Sequence, residues 1–91
     1  MMFNIKYVTE DIVPGRYRAE LESNDEYQYE AYLNCTEFKN AFGPLQSHAS
    51  IYKKGTGIAL YDKWYDGIIK KDRAIVKKLL SDLVAEFNQS L

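Results

Sequence analysis

Residues 72–87 read DRAIVKKLLSDLVAEF and contain the clearest helical period in the chain. The apolar residues recur in pairs every four positions, which places them on one side of a helix. They are Ile75, Val76, Leu79, Leu80, Leu83, Val84 and Phe87. Asp72 is a suitable N-cap, because its carboxylate can accept a hydrogen bond from a free amide of the first turn. Asn88 is the predicted stop, and so wide an apolar stripe predicts a covering sheet built from the rest of the chain.

The polar side of this helix is charged against the helix dipole. Cations crowd its start, namely Lys70, Lys71, Arg73, Lys77 and Lys78, whereas Asp82 and Glu86 lie toward its end. Each misplaced charge costs ~0.3–1 kcal/mol at low salt, so local stability does not explain the pattern. Free amides beside cations would suit an anion. The competing interpretation is a lysine face that only keeps the chain soluble.

Composition narrows the class of protein. Ninety-one residues predict a single small domain, residues 1–91, and a hydrophobic content of 46% excludes a disordered chain. The formal net charge of −1 gives no overall attraction to nucleic acid or to an anionic membrane. Cys35 is the only cysteine and has no partner for an internal disulfide. With no signal peptide and no membrane-spanning run, we expect a cytoplasmic protein.

Alternating apolar and polar residues predict strands at Phe3–Val8, Arg16–Glu22 and Glu26–Leu33. The second and third form a hairpin. A three-residue loop pairs Leu21 with Tyr27 and keeps one apolar face, whereas a two-residue loop does not. The same register places Arg18 opposite Glu30.

The remaining segments are less regular. Thr36 can cap a short helix through Phe42, ended by Gly43-Pro44. Residues 44–54 have features of both helix and strand, and we favour a strand from 49 to 53. A further strand is predicted at 57–65. Asp66-Gly67 indicates a hairpin, with a helix starting at Asp62 as the alternative. The predicted fold is α+β, a mostly antiparallel sheet of about five strands, packed by a C-terminal amphipathic helix, plus one short helix.

No catalytic signature is present. His48 is the only histidine and has no cysteine cluster, which favours a surface or hydrogen-bonded side chain over a zinc ligand. Cys35 is expected to be a packed side chain. Asp62, Asp66 and Asp72 would have to gather to form a cation site. The fragment Glu37-Phe38-Lys39 matches the acid-x-Lys element of some nucleases, which leaves a metal-dependent nuclease as a minor alternative. No cofactor and no metal are expected.

Two groups of residues are candidates for binding. The first group is basic and aromatic, which is the usual pairing for nucleic acid. It comprises Lys53, Lys54, Lys63, Lys70, Lys71, Arg73 and Lys77, with Tyr52, Trp64 and Tyr65. The second group is acidic, with a tyrosine on the same strand face, which suits a basic protein surface. It comprises Glu20, Glu22, Glu26, Glu30 and Tyr32. An ordinary charged surface is the alternative for both.

These observations favour a small non-enzymatic protein-binding module. An inhibitor or immunity-type role of phage or mobile-element origin, in which the chain blocks a partner's surface, suits the size and the lack of catalytic motifs. The alternative is a nucleic-acid-binding protein that uses the lysine-rich helix start with its aromatic residues. We expect another protein as the partner and no membrane, and leave open a homodimer through an edge strand.

Overall fold

The computed structural model describes residues 2–91 and has five strands followed by one helix. These are β1 (Asn4–Glu10), β2 (Arg16–Glu22), β3 (Tyr29–Phe38), β4 (Leu45–Lys53), β5 (Ala59–Trp64) and α1 (Arg73–Ser90). The strands lie in chain order in one sheet, and each is antiparallel to its neighbour. The predicted α+β fold with a C-terminal helix is confirmed. Within residues 2–91 no helix combines the length and the apolar character that crossing a membrane requires.

Helix α1 packs on one face of the sheet through five of the seven apolar residues predicted from its period. The buried residues are Val76, Leu80, Leu83, Val84 and Phe87. Leu79 is partly buried against the core, and Ile75 stays 42% exposed at the first turn. Asp72 is the N-cap as predicted: its carboxylate accepts hydrogen bonds from the amides of Ala74 (2.9 Å) and Ile75 (3.2 Å).

Asn88 does not end the helix, so this prediction is wrong. Its side-chain amide instead bonds to the backbone of Phe3 in both directions. The Phe3 amide donates to Oδ1 (2.9 Å), and Nδ2 donates to the Phe3 carbonyl (3.0 Å). These bonds join the last turns of α1 to the start of the sheet, and the helix continues to Ser90.

The β2–β3 hairpin forms with a different register from the predicted one. Leu21 lies opposite Tyr29 rather than Tyr27, and the loop spans residues 23–28. Asp25 organises this longer loop by accepting hydrogen bonds from Ser23 Oγ (2.8 Å), the Tyr27 amide (3.0 Å) and the Tyr29 hydroxyl (2.6 Å). A shift of two residues keeps every side chain on its face, so alternation alone does not distinguish the two registers.

The bond between Asp25 and Tyr29 predicts a pH dependence of stability. The hydrogen bond from Tyr29 lowers the pKa of Asp25 below its ordinary 3.8, and the same bond raises the pKa of Tyr29 to about 12. Because the folded-state pKa of Asp25 is depressed, its contribution to stability is present above the unfolded value and is lost as the pH falls through the folded value. The contribution of Tyr29 is present below pH 10.0 and is lost as the pH rises toward about 12.

We therefore expect the advantage of the wild type over Asp25→Asn, in free energy of unfolding, to shrink as the pH falls below 3.8. Urea unfolding of both proteins across the acid range measures it. Asp82→Asn is the control, because among residues 2–91 the Asp82 carboxylate bonds only to the exposed Lys78 (3.1 Å). If the difference in free energy of unfolding between the wild type and Asp25→Asn stays constant through the acid range, the stabilising role of the Asp25 carboxylate is contradicted.

The predicted short helix at residues 36–42 is absent, because this segment continues β3 and its turn into β4. Glu37 pairs with Gln46 and Phe38 pairs with Leu45. A bulge between Asn34 and Glu37 interrupts the register. Backbone pairing between the two strands outweighs the local helix signals. The favoured strand within residues 44–54 is confirmed and is longer than predicted, at Leu45–Lys53.

The segment after β5 forms neither the predicted Asp66-Gly67 hairpin nor the alternative helix from Asp62. It runs from β5 to α1 without regular structure and is fixed by Ser47, which is fully buried. Ser47 Oγ donates to the Cys35 carbonyl (2.6 Å) and accepts from the Ile69 amide (2.7 Å). The Ser47 amide also donates to the carbonyl of Gly67, whose φ of 80° lets the chain turn at this point.

Ser47→Ala is expected to lower the free energy of unfolding by about 1–3 kcal/mol, because the part-buried amide of Ile69 and the buried carbonyl of Cys35 each lose a hydrogen bond. Denaturant unfolding measures the change. Ser81→Ala on the exposed side of α1 is the matched control and should stay within about 0.5 kcal/mol of the wild type. Equal stabilities of the two variants would show that Ser47 does not fasten this segment.

Both edge strands contain an extra residue relative to their neighbours. In β1 the extra residue lies between Ile5 and Tyr7. In β5 it lies between Ala59 and Tyr61, which pair with the adjacent residues Tyr52 and Ile51 of β4. Such bulges interrupt the regular row of free amides and carbonyls that another strand would need for pairing. The homodimer through an edge strand stays a prediction, and these irregularities do not favour it.

Candidate functional site

The sheet has one face covered by α1 and one face that no other element of residues 2–91 covers. Residues of the covered face form the hydrophobic core. The alternate residues point to the other side, which we call the open face. It comprises Arg16, Arg18, Glu20 and Glu22 from β2; Glu30, Tyr32, Asn34 and Glu37 from β3; His48, Ser50 and Tyr52 from β4; and Asp62 and Trp64 from β5.

His48 is the centre of a polar cluster on the open face. Its Nδ1 lies 3.0 Å from Glu37 Oε2 on β3, and its Nε2 lies 2.5 Å from Asp62 Oδ1 on β5. Each ring nitrogen of His48 thus faces one carboxylate from a neighbouring strand. Asn34 Nδ2 also donates to Glu37 Oε2 (3.1 Å), and the Trp64 ring stacks on the His48 ring with centroids 4.1 Å apart. Three neighbouring strands are thus joined through one side chain.

A second cluster surrounds Tyr32. Its hydroxyl donates to Glu30 Oε1 (3.0 Å), and the Arg16 guanidinium lies 4.3 Å from the centre of its ring. Tyr52 meets the same ring edge-on, with centroids 6.0 Å apart. Burial raises the pKa of Tyr32, and its bond to Glu30 adds to the rise. The hydroxyl therefore stays protonated and donating at neutral pH.

A shallow pocket of about 310 Å³ lies between the two clusters. Its walls include Glu30, Tyr32, Asn34, His48 and Tyr52. Rings and charged groups alternate along these walls, and several of them are already bonded to each other. The shape of the pocket is therefore largely fixed by contacts within the chain.

Carboxylates outnumber cations on the open face. Glu20 pairs with Lys54 (2.9 Å), and Glu30 lies 3.9 Å from Arg18 as a diagonal contact, since Tyr32 is the residue opposite Arg18. Among the described residues, one oxygen of Glu20 and one of Glu30 have no hydrogen-bond partner. By residue type the open face has five carboxylates, Glu20, Glu22, Glu30, Glu37 and Asp62, against two arginines, and Lys54 adds a cation from the following turn.

The structure brings together most of the predicted acidic group. Glu20, Glu22, Glu30 and Tyr32 share the open face on β2 and β3. Glu26 is exposed in the β2–β3 loop instead. A role in binding for this group stays a prediction.

The predicted basic group does not form one patch. Lys53 is the last residue of β4 and Lys54 follows it, and Lys53 Nζ lies 3.3 Å from the centre of the Tyr27 ring. The lysines at the start of α1 belong to the opposite end of the sheet, because Arg73 donates to the carbonyl of Val8 near the end of β1 (2.9 Å). The cations Lys70, Lys71, Arg73 and Lys77 are thus separated from Lys53 and Lys54 by the length of the strands.

Lys63 and Tyr65 lie on the covered side of the sheet. Lys63 Nζ contacts Glu86 Oε1 of α1 (2.7 Å), and this hydrogen bond raises the pKa of Lys63. The Tyr65 ring is 5.4 Å from the same Nζ, and burial raises the pKa of Tyr65. Of the three predicted aromatic binders, Tyr52 and Trp64 therefore share the open face and Tyr65 does not.

The start of α1 is poorly arranged for an anion. The Asp72 carboxylate already occupies the amides of Ala74 and Ile75, and it is itself negative. Lys39 Nζ, from the β3–β4 turn, lies 5.8 Å from the centre of the Trp64 ring, while His48 stacks on that ring as well. Trp64 is therefore less available for stacking on a nucleic-acid base than an isolated ring would be.

No metal or nucleophile site emerges from the geometry of residues 2–91. No group of three or more His, Cys, Asp and Glu side chains in this range could hold a metal ion, so Asp62, Asp66 and Asp72 do not gather as the minor nuclease alternative would require. Glu37 lies in a strand and is bonded to His48 rather than free. Cys35 is buried, and burial raises the pKa of its thiol.

The sequence pattern missed the cluster around His48. Assigning all of residues 45–53 to a strand would have placed His48 and Tyr52 on the same face, since side chains alternate. The meeting of His48 with Glu37 and Asp62 depends on the bulge in β3 and on the register of β5. Neither has a local signal in the sequence.

Comparison with known proteins gives no relative: no family model, no curated protein and no solved structure matches the chain. Its function has to be inferred from its own geometry.

Proposed function

We propose that this chain is a small protein-binding module that uses its open face to occupy a basic surface of another protein. The observation that supports the proposal is an uncovered sheet face whose aromatic and charged side chains are held by bonds to one another. Side chains on a face that only contacts solvent do not have to be held in fixed positions by one another. Blocking a surface in this way is the action of an inhibitor or immunity-type protein, which we place in the cytoplasm.

The chemistry of the open face resembles that of interface centres. Tyr and Trp are enriched among residues that dominate binding energy, because they offer large contact area with few rotatable bonds. Tyr32, Tyr52 and Trp64 are all partly buried by their neighbours, so little side-chain freedom remains to be lost on binding.

The charge of the open face indicates a basic partner. Exposed carboxylates at Glu22 and Asp62 lie on β2 and β5, on either side of the central strands. Opposite charges across an interface raise the association rate and penalise wrong partners. A surface rich in lysine or arginine would find complementary charge across the width of the sheet.

The test begins with affinity capture from a native extract and identification of a stoichiometric partner. The purified partner is then titrated against the wild type and against Glu22→Lys/Asp62→Lys. The proposal expects binding that the double variant loses. Nucleic acid is the alternative ligand. Salt-dependent nucleic-acid binding that disappears in Lys70→Glu/Lys71→Glu, with no protein partner, would contradict the proposal.

A further inference from the structure

Strands β3 and β4 extend past their neighbours as a two-stranded finger, residues 37–46. On one side, the last pairing of β3 with β2 joins Asn34 to Arg16; on the other, the last pairing of β4 with β5 joins His48 to Trp64. Cys35 and Ser47 still bond to the neighbouring segments, through Gly15 on one side and Tyr65 and Gly67 on the other. Past them, Glu37 pairs with Gln46 and Phe38 with Leu45, and these two pairs join only β3 to β4. A lone two-stranded hairpin gains little stability in water, so a protruding finger of this kind is not explained by folding alone.

The tip of the finger is apolar and exposed. Phe42 is fully exposed, Phe38 is 63% exposed and Leu45 is 38% exposed. The Gly43 amide donates to the Asn40 carbonyl (3.2 Å), which closes the turn that presents Phe42. From residue 38 to residue 45 the only charged side chain is Lys39. Grouped apolar side chains on a projecting element are typical of an interaction site.

The root of the finger is fixed by the open face. Glu37 bonds to His48 and to Asn34, and Ser47 Oγ donates to the Cys35 carbonyl at the bulge. Lys39 reaches back over the Trp64 ring. These contacts hold the finger before any partner arrives, which reduces the ordering cost of binding.

We propose that the finger is the apolar anchor of the same interface, and that Phe42 inserts into an apolar pocket beside the basic surface of the partner protein. This inference rests on the proposed function. The finger is continuous with the open face, since Glu37 belongs to both, and one partner surface can therefore contact both. Charge supports a protein rather than a lipid surface, because the tip has one cation and the face at its root is acidic.

The experiment compares Phe42→Ser with Ile58→Ser, using the purified partner and calorimetric titration. Ile58 is 69% exposed in the turn at the opposite end of β4 and is the matched control. We expect Phe42→Ser to weaken binding about 10-fold or more, as truncated anchor residues do, and Ile58→Ser to bind like the wild type. Because Phe42 touches little of its own chain, both variants should fold.

The outcomes separate the two proposals. Loss of binding in Glu22→Lys/Asp62→Lys with an unchanged dissociation constant in Phe42→Ser overturns the anchor and leaves the proposed function intact. A wild type that binds no protein overturns both. If the wild type self-associates in sedimentation velocity and Phe42→Ser abolishes this association, the anchor in a partner protein is overturned in favour of a second copy of the chain. If the wild type binds phosphatidylglycerol vesicles and Phe42→Ser abolishes this binding, it is overturned in favour of a lipid surface.

Discussion

Leu80→Ala is expected to lower the free energy of unfolding by about 2–5 kcal/mol, the largest stability effect we anticipate in this chain. Leu80 is fully buried in the middle of α1 and belongs to the core between the helix and the sheet. Removing its branched end loses the transfer free energy of those atoms and leaves a cavity. Small domains are stable by only about 5–15 kcal/mol, so the variant loses a large share of its stability. Urea unfolding followed by circular dichroism measures it.

Ile75→Ala is the matched control for this prediction. Ile75 belongs to the same apolar series of the sequence, but it is 42% exposed at the first turn of the helix. Its truncation should cost less than about 1 kcal/mol. Equal losses from the two variants would contradict the packing of α1 described above.

Glu22→Lys/Asp62→Lys is expected to weaken binding of the partner about 100-fold or more, because each reversal places like charges together across the interface, at a cost of several kcal/mol. Both carboxylates are exposed on the open face, so the substitutions leave the hydrophobic core unchanged. Asp62 does hold His48, and unfolding of the double variant must be checked alongside binding. Calorimetry or interferometry with purified partner gives the dissociation constants.

Asp66→Lys/Asp82→Lys is the matched control for the charge reversal. It makes the same change in net charge, with both residues exposed and outside the open face. Binding within about 3-fold of the wild type is expected, since distant surface charges act only through a screened field. If the two double variants weaken binding of the partner equally, net charge rather than the open face governs binding.

The parts of the fold that sequence predicts well are those with strong local signals. Arg16–Glu22 alternates strictly and has the predicted bounds. Asp72 caps α1 because one carboxylate beside free amides suffices, whatever else the chain does. The period of α1 correctly selects most of its buried stripe, although Ile75 stays exposed and Leu79 is only partly buried.

The parts that sequence misses depend on contacts between distant residues. The β2–β3 register is set by Asp25 within the loop, and pairing with β4 overrides the helix signals around Thr36. Asn88 looks like a stop residue, yet it bonds to the backbone of Phe3 at the other end of the chain. None of these contacts can be predicted from the few residues on either side of each position.

The candidate site follows the same division. Glu20, Glu22 and Glu30 could be grouped from alternation alone, because their strands are neighbours in sequence. The sequence predicts a surface or hydrogen-bonded His48, and the structure shows it hydrogen-bonded, but the sequence does not identify its partners. Its partners Glu37 and Asp62 come from two other strands, joined to it only by tertiary pairing. The split of the lysines between the two ends of the sheet likewise requires the topology.

Carboxylate footprinting of the free and partner-bound chain tests the central claim most directly. Carbodiimide labelling, read by mass spectrometry, reports which acids are covered in the complex. If the open face binds the partner, labelling of Glu22 and Asp62 should fall strongly on binding, while Asp66 and Asp82 stay reactive. Protection of Asp82 on α1, with Glu22 and Asp62 still fully labelled, would contradict the claim and place the interface on the helix side of the molecule.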